Sequence, residues 1–164
     1  MLQTLRMLSM TMMSSLVVIG VAMFFVLAPA DGESTIAPTA WLLGIVVLGV
    51  AVAALVGALG YRLPPIAPGT DPTRAGRESG QRFQAAMMLR IALCDAVAIV
   101  ALALAFVVSE GGLSLYLLGA VISLGLMVLH VLPGEGPISR SERALERDGA
   151  TSYLRERLTA APPK

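Results

Sequence analysis

Four stretches of this sequence are each long and apolar enough to cross a lipid bilayer, which leaves few folds open to the chain. They run over residues 7–28, 41–60, 83–108 and 113–132. A hydrocarbon core about 30 Å thick is spanned by about 20 apolar residues in a helix. No water inside that core satisfies backbone groups, so each run is expected to be helical. Composition agrees, since only 14% of the residues are charged and 56% are hydrophobic, against roughly 25% charged in an ordinary soluble domain. The expected fold is all-α: a four-transmembrane-helix bundle over residues 1–133, then a short helical C-terminal tail over 134–164.

Lys and Arg set the orientation. Arg6 precedes the first run; Arg62, Arg74, Arg77, Arg82 and Arg90 lie in or beside the second connection; Arg140, Arg143, Arg147, Arg155, Arg157 and Lys164 follow the fourth run. The other connections, 29–40 and 109–112, hold no Lys or Arg and carry Asp31, Glu33 and Glu110. By the positive-inside rule both termini are expected in the cytoplasm, which makes the chain a multi-pass protein of the cell (inner) membrane. The first run has a second reading. Arg6, the apolar stretch 16–27 and Ala28-Pro29-Ala30 resemble the parts of a cleavable signal peptide. The uncharged span back to Met7 is longer than a usual signal core and favours a retained helix.

The third run carries the sharpest functional clue. Asp95 lies well inside it, and an ionisable residue at such depth marks either function or a specific buried partner. Arg90, near the cytoplasmic boundary, is expected to snorkel to water. Asp95 is five residues further on, about 7 Å along the axis and about 140° around it, so Arg90 is not its natural partner. Counting back from the outer turn places Asp95 in the inner half of the bilayer, near the depth of Thr11, Ser14 and Ser15. On the fourth run Gly119, Ser123, Met127 and His130 fall roughly on one face, and Asp95 is expected level with about Leu126. Ser14, Ser123 and His130 are therefore candidate supports for an ion-binding carboxyl. His130, alone at a helix end, also reads as an ordinary interfacial residue.

Other features are less specific. Gly49, Ala53 and Gly57 form a small-residue ladder at intervals of four, suited to close helix packing within the chain or between copies. Trp41 is placed as an outer-interface anchor. The connection 62–82 is rich in Pro and Gly and is expected to resist regular structure, its arginines serving topology and anionic headgroups. Ser139-Arg140-Ser141-Glu142 reads as a capping box that opens a short helix ended by Gly149, and a second short helix is expected through Tyr153 to Leu158. The tail, with nearly balanced charge, is expected to be solvated or partner-binding and disordered at Pro162 and Pro163. Cys94 is the single cysteine and reads as a small apolar residue, with no disulfide and no metal cluster to join. No cofactor fingerprint, catalytic constellation or nucleic-acid-binding face is present in the sequence.

Two resemblances add to this reading. Gly49-Val50-Ala51-Val52-Ala53 and Leu89-Arg90-Ile91-Ala92-Leu93-Cys94-Asp95-Ala96-Val97-Ala98-Ile99, with the basic connection between them, resemble the hairpin of a rotary ATP synthase c subunit. That resemblance covers less than half the chain and lacks the short Arg-Gln-Pro loop; it implies an ion-binding role for Asp95. The whole architecture, ending in Leu129-His130-Val131-Leu132-Pro133, resembles a bacterial family of uncharacterised four-helix membrane proteins with an acidic residue in helix three. Three functions follow as expectations. The leading one is a non-enzymatic structural or accessory subunit, as a homo-oligomer or within a larger membrane complex. A proton- or cation-handling oligomer using Asp95 comes second, and an enzyme last.

Overall fold

A computed structural model describes residues 2–27, 36–108, 110–132 and 134–159. The readings made for residues 29–35 and for Pro162 and Pro163 lie outside them. Among the described residues every regular element is helical: α1 (Leu2–Val26), α2 (Thr39–Leu59), α3 (Pro72–Ala105), α4 (Gly112–His130), α5 (Glu135–Leu145) and α6 (Leu154–Thr159). The first four are long and apolar enough to cross a membrane. Their outward side chains, among them Phe25, Val47, Val50, Ile99, Val121 and Leu129, are exposed as lipid-facing residues would be.

α3 is the axis of the fold. Phe83, Met87, Arg90, Cys94, Val97, Ala101 and Ala105 recur every three or four residues and form a buried seam. Against it pack α4 most extensively, then α2, while α1 leans mainly on α4. On α1 the buried positions among the described side chains are Leu5, Ser9 and Leu16. Small residues set the α3–α4 distance. A Cβ on Gly119 would overlap that of Ala101, and one on Gly112 would overlap the Ala105 carbonyl. The turn between them uses Gly111 at φ 69°, where a Cβ would also strike the backbone of Ile36 and Ala37.

The second connection corrects the sequence reading. Helix α3 begins at Pro72 rather than near Phe83. Asp71 caps it, its Oδ1 accepting from Thr73 N at 2.9 Å and Arg74 N at 3.2 Å, and Pro72 at the first helical position has no N–H to leave unsatisfied. The shorter connection before it is pinned as well. Arg82 donates to the Pro64 and Pro65 carbonyls, each at 2.9 Å, and Ile66 N donates to Leu145 O at 2.9 Å. Asp71→Ala should cost about 1 kcal/mol, read as an earlier thermal melt in detergent, with faster proteolysis in the 61–71 segment. An unchanged melt would show that the cap contributes nothing.

The tail is packed rather than freely solvated. Ile138, Leu145, Leu154 and Leu158 are buried, and Ser79 Oγ on the first turns of α3 donates to Ser152 O at 2.7 Å. The expected capping box does not form. α5 starts at Glu135, and Ser139 is interior, its Oγ donating to Glu135 O at 2.7 Å. Pro137 is tolerated because it falls in the first turn, where N–H groups have no helical partner. α5 ends at Leu145, and Gly149, at φ 83°, closes the turn that follows. Arg155 ties the two short helices, donating to Glu135 and Glu142, each at 2.9 Å. Those hydrogen bonds, to Glu135 first, raise its pKa above the usual guanidinium value. So exposed a network contributes little stability, but it fixes which way the α5 carboxylates point.

Candidate functional site: Asp95 and the buried Arg90

Asp95 is half-buried on the flank of α3, beside the seam rather than in it. Leu102 continues its face at helical spacing, and it packs with Ala105, with Tyr116 of α4 and with Met23 and Leu27. The Tyr116 hydroxyl donates across to the Leu16 carbonyl of α1 at 3.4 Å. Asp95 thus lies below the place where α1 meets α3 and α4, on a side that the loosely packed α1 leaves partly open. Among the described residues its carboxylate has no hydrogen bond and no ion pair.

The residues expected to support it are placed as follows. Gly112 against Ala105 and Gly119 against Ala101 and Val97 fix the antiparallel register. Asp95 is therefore level with the turn of α4 that holds Ser123, close to the expected level of Leu126. Ser123 is fully buried, and its Oγ has no hydrogen-bond partner among the described residues. Ser14 is on the exposed face of α1. His130 is elsewhere, its Nδ1 3.4 Å from the Tyr61 hydroxyl. None of the three hydrogen-bonds to Asp95. The small-residue ladder also divides: Gly49 packs on α4, where a Cβ would come within 2.6 Å of Ile122 Cγ2, Ala53 is half-buried, and Gly57 faces open space.

The second polar centre was missed by sequence reasoning. Arg90 does not snorkel: it is 1% exposed and heads the fully buried side chains by size. Its Nε donates to Gly60 O at 2.9 Å, its Nη1 to His130 O at 3.3 Å and its Nη2 to Ser141 Oγ at 3.2 Å. Its Cζ stands 4.3 Å from the Tyr61 ring centroid and 5.6 Å from that of Phe83. No carboxylate pairs with it among the described residues. Compensation comes from elsewhere. Gly60 closes α2 and His130 ends α4, so the guanidinium meets the partial negative charge of two helix C-termini, and the ring faces add cation–π attraction. Gly60 permits the approach, since a Cβ there would lie 2.8 Å from Arg90 Cγ. The spacing Met87, Arg90, Cys94 was the available signal, because it puts Arg90 on the seam, where α5 covers it.

Chemically, the Arg90 centre joins three helices and offers no reactive group. Asp95 offers one acid, and among the described residues no hydrogen bond or ion pair engages it. The chain matches no protein-family model, and neither a curated protein nor a solved structure was found to match it.

Proposed function

We propose that the chain is a non-enzymatic membrane protein, a structural or accessory subunit of a membrane assembly, inserted with both termini in the cytoplasm. Asp95 is the point at which a neighbouring transmembrane helix is recognised, whether from a second copy or from another subunit. The observation that carries this reading is the half-buried carboxyl on the open flank of α3, which makes no hydrogen bond or ion pair among the described residues. In lipid such a group is costly until another polar group meets it. The competing reading, reversible proton or cation binding at Asp95, calls for ligands around it, and Ser14, Ser123 and His130 make no bond to it.

The test is the size of the full chain purified in mild detergent, measured by light scattering and native mass spectrometry. The wild type is expected in particles larger than one chain. Asp95→Leu should weaken assembly about fivefold, the equivalent of roughly 1 kcal/mol for an interhelical polar contact, and Asp95→Asn should retain it. A monomeric wild type that co-isolates with nothing overturns the proposal. Ion flux in proteoliposomes that Asp95→Asn abolishes, with assembly intact, would replace it with the ion-handling reading.

A further inference from the structure

The Arg90 centre has an exposed edge that its structural role does not use. Arg140, on α5, sits with its Cζ 5.4 Å from the centroid of the same Tyr61 ring that Arg90 approaches to 4.3 Å. Arg140 is exposed and makes no hydrogen bond or ion pair among the described residues. His130 completes the group, its Nδ1 within 3.4 Å of the Tyr61 hydroxyl. Two guanidinium groups therefore share one aromatic ring with no carboxylate between them. The acids of the neighbouring helix are held away: Glu135 and Glu142 are taken by Arg155, and Glu146 accepts from Ser152.

An anion would relieve this arrangement, and its depth says which kind. Tyr61 and His130 stand where α2 and α4 end, at the edge of the apolar spans and so at the level of lipid headgroups. The C-terminal carbonyls of those helices would repel an anion, but Arg90 covers one from each. What remains is the Arg140 cation beside the Tyr61–His130 pair at the bilayer surface. We infer that Arg140, Tyr61 and His130, seated on the buried Arg90, form a binding site for the phosphate of an anionic phospholipid headgroup. The site is separate from Asp95, and its test does not depend on how the chain assembles.

The full chain is reconstituted into nanodiscs of phosphatidylcholine with a minor share of phosphatidylglycerol, then extracted into detergent at physiological salt. Phosphatidylglycerol retained per chain is counted by mass spectrometry. Arg140→Gln should reduce retention about fivefold, the effect of one Arg at an anionic surface, and Arg140→Lys should restore most of it. Arg74→Gln is the control, since Arg74 lies about 24 Å along α3 from Arg90 at 1.5 Å per residue and pairs with Glu78. Equal retention by Arg140→Gln and wild type overturns the inference. So does an equal loss in Arg74→Gln, which would mean diffuse charge attraction. Complete displacement of the lipid by millimolar inorganic phosphate overturns it too, by making this a free-anion site.

Discussion

Arg90→Ala is expected to be the most damaging single substitution in the chain, lowering stability by roughly 3 to 5 kcal/mol. The truncation leaves Gly60 O, His130 O and Ser141 Oγ without their donor and opens a void between the Tyr61 and Phe83 rings. Hydrogen bonds to a charged donor contribute about 1.5 to 3 kcal/mol each. Against them stands the desolvation of the guanidinium, several kcal/mol that the mutant no longer bears. The donor side wins because two of the three acceptors, Gly60 O and His130 O, are helix C-terminal carbonyls whose partial charge points at the cation whether or not it is present. Arg90→Lys should fall between wild type and alanine. One ammonium cannot reach three divergent acceptors, nor stack as a planar group on Tyr61. The measurement is reversible unfolding in mixed micelles with increasing SDS, comparing wild type, Arg90→Lys and Arg90→Ala. An alanine variant that unfolds with the wild type, or a lysine variant no better than alanine, would mean that the guanidinium geometry contributes nothing.

How far the sequence reveals this molecule depends on the range over which each feature is determined. The spanning helices are legible because bilayer thickness imposes one length on every apolar run, and α2 and α4 begin and end within about two residues of the run boundaries. The early start of α3 was legible in principle, since Asp71-Pro72 is a cap followed by a first-turn proline, but the surrounding Pro and Gly outweighed it. The packing of α5 and α6 was not legible. Ser139-Arg140-Ser141-Glu142 satisfies a local pattern, while the observed start at Glu135 follows from Ile138 and Leu145 being buried and Ser141 accepting from Arg90. Asp95 stood out because it is chemically odd in an apolar run. Arg90 did not, because an arginine near a helix boundary has an ordinary explanation that only the seam periodicity contradicts. Whether a charged residue faces lipid, water or protein is decided by what packs on it, and the covering helix lies some fifty residues downstream at Ser141.

Gly119→Val should be the second most damaging change, costing about 3 kcal/mol, with Gly119→Ala costing about 1 to 3 kcal/mol. A Cβ at Gly119 would overlap Ala101 Cβ and lie 3.3 Å from Val97 O. Neither neighbour can yield: Ala101 Cβ is fixed to the backbone of α3, and the Val97 carbonyl belongs to the helix. The helices would have to separate, which loosens the most extensive interface in the fold and draws His130 O away from Arg90. Gly57→Ala is the matched contrast. Nothing lies within 4 Å of a Cβ there, and alanine favours a helix by up to about 1 kcal/mol over glycine, so no loss is expected. Ala101→Gly supplies the decisive pairing, because removing that Cβ makes room for the one added at position 119. Alone it should cost about 1 kcal/mol through helix propensity and lost contact, and combined with Gly119→Ala it should return part of the loss. The coupling expected between the two, about 1 to 2 kcal/mol, is read from unfolding of the four proteins in one detergent. Strict additivity would show that the contact between Gly119 and Ala101 does not set the spacing of α3 and α4.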